Sequence, residues 1–255
     1  MTTVRGTGPV RLGIARGRIE LKHSLSYWPD IVQTVVFAAV SLLVLFLLRG
    51  HHVPGTSFSL GSLTLPSLIG MNLAFSGVLG VSVTFTSCTT VIALAILLAV
   101  GRLAFPGLSV TAAGWLTMAW VVALSLLATI PIGIALGSLL PNPQYIPLVM
   151  LPFGALTAIS GIFYPITHLP GWLQGIGQVF PMYWAGLGMR SALLPSSLAA
   201  VEIDGSWRHW LVLLVLAAWA VAGLLAAPPM LRRMARRESG SRVAARRERA
   251  LVRPR

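Results

Sequence analysis

Acidic residues are almost missing from this sequence. The 255 residues include only six Asp and Glu, and none of these lies between Asp30 and Glu202. Charged residues make up 10% of the chain and hydrophobic residues 56%, whereas a soluble domain carries about 25% charged residues. Because the apolar residues lie in long runs, the composition indicates an integral membrane protein with no separate soluble domain.

Lysine and cysteine are each present only once, as Lys22 and Cys88. A single cysteine excludes an intrachain disulfide and a cysteine-cluster metal site. The phosphate-binding loop of an ATPase needs a Lys within a Gly-rich turn, which Lys22 does not provide. The lack of acidic residues in the apolar runs argues against a proton-coupled carrier. No acid lies near His168 in sequence, which argues against a hydrolase triad.

The positive charges are concentrated at the two ends of the chain. Fifteen of the nineteen Lys and Arg lie before Ser24 or after Leu231. A net charge of +13 would suggest nucleic acid as the partner of a soluble protein. Here the placement indicates cytoplasmic flanks of a membrane domain, by the positive-inside rule, and no nucleic-acid partner. We divide the chain into a cytoplasmic amphipathic segment or disordered basic leader (1–30), a transmembrane domain (31–229) and a basic cytoplasmic tail (230–255).

The apolar runs predict an all-α bundle of six transmembrane helices with both termini in the cytoplasm. A helix needs about 20 residues to cross the hydrocarbon core. The uncharged run from Ser67 to Val100 is too long for one crossing and just long enough for two. Two crossings bring both basic ends to the same side, so we expect an inner turn near Thr84 to Thr90. The other predicted spans are Ile31–Leu48, Trp115–Leu140, Ile146–Phe163 and Leu211–Ala227.

A run of helix-breaking residues follows the fifth predicted span. Pro165, Pro170, Gly171 and Pro181 interrupt a segment that stays apolar and aromatic. Unpaired backbone groups are not tolerated in lipid, so this region must lie at the membrane surface or be shielded by other helices. The sequence therefore predicts a sharp break and a short helix near the outer interface. The aromatic residues suited to that interface are Tyr164, Trp172, Tyr183 and Trp184.

The same region carries a family resemblance. The run Gly161-Ile162-Phe163-Tyr164-Pro165, then Leu169-Pro170 with Trp172, then Pro181 and Arg190, resembles the signature of ABC-2 (type-2 ABC exporter) permeases of the drug and lipid exporter class. The signature residues are expected near the outer gate, and none is expected to be catalytic or to bind a cofactor or metal. They are Gly161, Phe163, Tyr164, Pro165, Pro170, Trp172, Pro181 and Arg190.

The resemblance implies a working assembly that this chain does not provide alone. A separate ABC ATPase would bind ATP and Mg, and a second permease subunit would complete a homodimer or a heterodimer. The implied location is the bacterial cell membrane, where the chain would be a multi-pass subunit in the lipid bilayer. The implied cargo is hydrophobic or amphipathic.

One feature departs from the family pattern. ABC-2 permeases usually carry a charged cytoplasmic segment between the second and third spans, which docks on the ATPase. This chain has only Thr84-Phe85-Thr86-Ser87-Cys88-Thr89-Thr90 at the expected turn. The alternative function is therefore a non-transporting accessory or export-defective membrane protein.

Arg190 is the only charge within the broken region. It could pair with Glu202 or Asp204, extend to lipid headgroups, or attract an anionic lipid. An interface anchor, with its apolar stem along the protein and its charge in water, is the interpretation that we favour from sequence.

Overall fold

The computed structural model describes residues 28–52, 59–79, 83–104, 111–139 and 146–229. Within these ranges the chain is helical, apart from turns, loops and an isolated antiparallel bridge between His52 and Ser59. This confirms the expected all-α class. The predicted N-terminal amphipathic segment up to residue 27, residues 141–144 between the fourth and fifth predicted spans, and the basic tail lie outside the described residues. The α-helices of the described ranges are α1 Trp28–Leu48, α2 Leu60–Leu79, α3 Val83–Ala104, α4 Ala112–Leu139, α5 Ile146–Ile159, α6 Gly171–Val179, α7 Pro181–Leu193 and α8 His209–Pro229.

Side-chain caps fix the starts of two central helices. The Ser59 hydroxyl accepts a hydrogen bond from the Ser62 amide (3.3 Å), which starts α2. The Thr111 hydroxyl accepts one from the Gly114 amide (3.0 Å), which starts α4. Ser and Thr at these positions satisfy amides that have no partner inside the helix. Inside the bundle, buried hydroxyls such as that of Thr129 donate to the carbonyl one turn earlier, so they need no solvent.

The predicted turn near Thr84 to Thr90 is wrong. These residues belong to α3, which begins at Val83, and the connection from α2 falls at 80–82. Both helices also extend beyond the uncharged run, because α2 begins at Leu60 and α3 continues to Ala104. Arg102 is accepted in the last turn of α3, where a cation complements the partial negative charge of the helix end. The ends of the uncharged run therefore do not coincide with the ends of the two helices.

Helix α2 lies at the centre of the bundle. It contacts α1, α3, α4 and α7, and every residue from Gly61 to Met71 is buried. The outward faces of α1, α4 and α8 are apolar and exposed, as expected of surfaces that contact lipid. Within the described residues, two helices are long and apolar enough to cross a membrane, at Ala112–Leu136 and His209–Pro229. The largest exposed side chains on these three helices include Phe46, Leu47, Leu116, Trp210 and Leu225.

Candidate functional site around Arg190

The predicted break after the fifth span is present, and it begins earlier than the first proline. Helix α5 ends at Ile159, and Gly161 adopts a φ of +62°, a left-handed conformation that glycine reaches without steric cost. A Cβ at this position would lie 2.9 Å from the Ile166 Cβ. The chain then forms a 3-10 turn at Ile166–His168 and enters α6 after Pro170. Glycine conformation, rather than proline, ends the helix.

Helices α6 and α7 form a helical hairpin that turns at Phe180. Gly177 of α6 lies against the end of α5, since a Cβ there would be 2.7 Å from the Ile159 carbonyl oxygen. Pro181 occupies the first position of α7, where its missing amide costs nothing. The indole of Trp219 in α8 donates to the Val179 carbonyl (2.9 Å) and its ring stacks on Phe180. The tip of the hairpin is thus fixed ten residues after the start of α8.

Helix α7 inserts between α2 and α4 and runs antiparallel to both. Gly70 of α2 faces Gly186, where a Cβ would lie 2.6 Å from the Gly186 amide nitrogen. Farther along α7, Gly188 faces Val121 of α4. All thirteen residues of α7 are buried except Ser191, which is half-buried. The backbones of α2 and α7 therefore touch directly, as in membrane helix pairs built on small residues.

The interpretation of Arg190 as an interface anchor is wrong. The residue is 1% exposed, and its Nε lies 2.9 Å from Oε1 of Glu202, whose side chain is also 1% exposed. Its Nη1 donates to the Ser67 hydroxyl (2.7 Å) and to the Gly161 carbonyl (2.9 Å). Of the partners weighed from sequence, Glu202 is the one found. Burial of this charge is possible because a counter-ion and two oxygen acceptors meet it.

A second arginine lies beside this centre. The Arg208 guanidinium donates to Gln178 Oε1 (3.1 Å) and lies over the Trp184 ring, 5.4 Å from its centroid. Its Nε is 3.9 Å from the exposed carboxylate of Asp204. The Trp184 indole donates to the Gln178 carbonyl (2.6 Å). Arg208 thus ties the start of α8 to the α6–α7 hairpin.

The structure brings some of the predicted signature residues together and leaves others apart. Gly161 touches Arg190 directly, and the Phe163 carbonyl accepts a long hydrogen bond from Thr64 of α2 (3.5 Å). Tyr164 donates to the Ala158 carbonyl (2.6 Å) at the end of α5. Pro165 is buried, whereas Pro170 precedes α6 and is exposed.

The aromatic residues that were predicted at the membrane interface differ in their exposure. Trp172 is 67% exposed, as expected of a ring at the membrane interface, but Tyr183 and Trp184 are buried in α7. Their rings meet edge to face, 5.1 Å apart. Both were expected at the interface because α7 was not recognised as a helix inside the bundle.

Sequence reasoning missed Ser67 and the close approach of Gly70 to Gly186. Ser67 looks like any hydroxyl in an apolar run. The one available signal was Glu202, which is the first acidic residue after Asp30. Among the residues that the structure describes, no group of three or more His, Cys, Asp or Glu could hold a metal ion.

Comparison with known proteins identifies the family. The family model described as "ABC-2 family transporter protein" matches residues 59–227. The match covers more than half of the chain, and it runs from the cap of α2 into the last turns of α8. It includes the break, the hairpin and all three partners of Arg190. The search of curated proteins found no match.

Proposed function

Since the chain belongs to the ABC-2 family of transporter proteins, we propose that it is the permease subunit of an ATP-driven exporter of hydrophobic or amphipathic compounds. A membrane location and a role in an ABC transporter follow from the family. The direction of transport, the cargo class and the assembly are our proposal. The observation that carries it is the family match from α2 to α8, together with a broken segment packed into the bundle around Arg190.

We infer that α1 to α5 and α8 are the six transmembrane helices. The first four and α8 have 20 to 28 residues, enough at about 1.5 Å per residue to cross the core. The described part of α5 has 14 residues and would extend about 21 Å. The break would then lie at the outer side of the membrane, where neighbouring helices shield its backbone. Both basic ends would face the cytoplasm of a bacterial cell.

The cargo class is inferred from the lack of charge. The chain has no acidic residue between Asp30 and Glu202. In the described residues the Arg190 guanidinium already contacts Glu202, Ser67 and Gly161. A path along these helices would offer apolar and aromatic surface rather than ionic sites. Such a surface suits a drug-like or lipid-like compound.

The assembly would contain two permease subunits and a separate ABC ATPase that holds ATP and Mg. One observation favours the alternative of a non-transporting accessory or export-defective subunit. Only residues 80–82 separate α2 from α3, which is too short for a charged docking helix. If the chain does transport, the ATPase must dock elsewhere, and the N-terminal segment and the loop at 141–144 are the candidate surfaces.

The experiment is copurification of the tagged chain with an ABC ATPase, followed by reconstitution into vesicles. ATP-dependent accumulation of a rhodamine dye would support the exporter. Vesicles that contain a variant chain, with a charged coupling segment inserted between residues 81 and 82, serve as the comparison. No ATPase in the purified material, and transport only by the grafted chain, would favour the accessory alternative.

A further inference from the structure

A short segment closes one end of the bundle between α7 and α8. We define the cap segment as residues 194–208, which form 3-10 turns at Ser196–Val201 and Ile203–Gly205 before α8 begins. Its inward side chains are buried, including Leu198, Glu202 and Trp207. The Val201 carbonyl accepts a hydrogen bond from Thr167 of the break (3.2 Å). The cap segment therefore covers the break rather than projecting away from it.

The Arg190 side chain links this cap segment to α2 and to the break. Arg190 pairs with Glu202 of the cap segment, and it also donates to Ser67 of α2 and to the Gly161 carbonyl of the break. These partners come from three separate parts of the chain, and the whole arrangement is buried. Loss of Glu202 would remove the buried charge contact of the cap segment while leaving the other two contacts in place.

Unusual backbone conformations are concentrated in the two segments that Arg190 joins. In the described part of the chain, the residues with positive φ are Gly161 in the break and Asp204, Gly205 and Arg208 in the cap segment. Arg208 has a φ of +48°, although its long side chain gives it no preference for this region. Strained backbone of this kind persists only where the surroundings hold it. The contacts of Arg190 and Arg208 supply such a restraint.

The ion pair itself is incompletely satisfied. The contact between Arg190 and Glu202 has the distance of an ion pair without the alignment of a hydrogen bond, and neither Arg190 Nη2 nor Glu202 Oε2 has a hydrogen-bond partner among the described residues. A buried pair of this kind adds little net stability over an apolar substitute, but loss of one partner is costly. The pair thus specifies where the cap segment sits more than it adds to the stability of the fold.

We propose that the Arg190–Glu202 pair is a latch that keeps the cap segment closed over the break. Separation of the two charges frees the cap segment to lift from the end of the bundle. In the transporter, this is the movement that would open the outer end of the path, and that last step rests on the proposed function. Glu202 is then a positioning residue, which acts through Arg190 and does not need to touch the cargo.

The test measures access to the inner side of the cap segment. In a chain with Cys88→Ala, Leu198→Cys introduces a thiol at a position that is 1% exposed. The protein is placed in nanodiscs, so that both faces can be reached, and the rate of modification by a charged maleimide is followed by mass. We expect Glu202→Gln to raise this rate about tenfold, because the uncharged amide no longer holds the buried cation. Glu202→Asp, which keeps the charge on a shorter stem, should give a smaller rise.

Two controls separate a latch from general loosening. Asp204→Asn removes a carboxylate that is 75% exposed and 3.9 Å from Arg208, so it should leave the rate unchanged. A thiol placed by Leu216→Cys, on the buried side of α8, should stay protected in every variant. Unchanged modification of Leu198→Cys in both Glu202 variants would overturn the latch. Equal exposure of Leu216→Cys would also overturn it, because the pair would then stabilise the whole bundle.

A separate arm addresses the proposed function. The complex with its ATPase is modified with and without MgATP, and the latch in a transporter predicts faster modification of Leu198→Cys during ATP hydrolysis. A rate that responds to Glu202→Gln but not to MgATP would contradict the opening of the cap segment during transport and leave the latch standing. A rate that responds to neither would overturn the latch alone, since the exporter is tested independently by dye transport.

Discussion

The contact between Gly70 and Gly186 gives the sharpest prediction about stability. A Cβ at Gly70 would lie 2.6 Å from the Gly186 amide nitrogen and 2.7 Å from the Ala185 carbonyl carbon. Both are backbone atoms of a buried helix, so α7 must shift by about 1 Å to restore an ordinary contact of 3.5–4.0 Å. Overpacking of this kind costs about 1–3 kcal/mol. The gain in helix propensity from Gly to Ala offsets up to about 1 kcal/mol of that.

With that offset, the expected net loss for Gly70→Ala is up to about 2 kcal/mol, which would lower Tm by up to roughly 8 °C in a chain of this size. The assay is thermal unfolding of the purified subunit in detergent. Gly154→Ala is the matched control, because it lies inside α5 and a Cβ there would meet nothing within 4 Å. That control should keep or slightly raise Tm. A Gly70→Ala protein as stable as the Gly154→Ala protein would refute the direct contact between the α2 and α7 backbones.

Three further predictions concern Arg190, Gly161 and the topology. Arg190→Ala should lower the free energy of unfolding by about 3–5 kcal/mol, because it leaves the Glu202 carboxylate buried without a partner. The double variant Arg190→Met with Glu202→Gln should recover part of the folded yield, which is measured by size exclusion. Gly161→Ala should lower the free energy of unfolding by about 1–2 kcal/mol, because Gly161 has a left-handed backbone conformation, and the loss should appear as a lower Tm. Gly171→Ala is the control and should change Tm little, because a Cβ there would meet nothing within 4 Å. Reporter fusions after Arg255 and within the α1–α2 connection near Thr56 should report opposite sides of the membrane, and a shared side would contradict six spans.

Sequence reasoning located the helices better than it located their ends. Runs of apolar residues indicate where a chain can enter lipid, but Arg102 shows that a charge can be accepted within a last helical turn. The break after α5 was predictable because several helix-breaking residues cluster there. Its starting point was not, because the conformation of Gly161 depends on the contact that it makes with Ile166.

The burial of Arg190 could not be predicted for a different reason. A lone cation near a membrane usually keeps its charge in water, and that expectation fails only when a fold supplies enough partners. Ser67 and Gly161, which are 123 and 29 residues away in sequence, become partners only once α7 has entered between α2 and α4. Apolar patterning carries no information on which helix faces meet, so it gave no sign of this insertion.

The placement of α2 connects the latch with the question of ATP coupling. Its middle carries Ser67, which binds Arg190, and Gly70, which touches the α7 backbone. Its C-terminal end leads to residues 80–82, where the family usually has its docking segment. The backbones of α2 and α7 touch directly and cannot rearrange as flexible side chains can. A displacement of α2 along its axis must therefore move α7 or break the hydrogen bond between Ser67 and Arg190. A short α2–α3 connection therefore does not by itself disconnect the latch from the cytoplasmic side, because any subunit that displaces α2 acts on Arg190 through α2 itself.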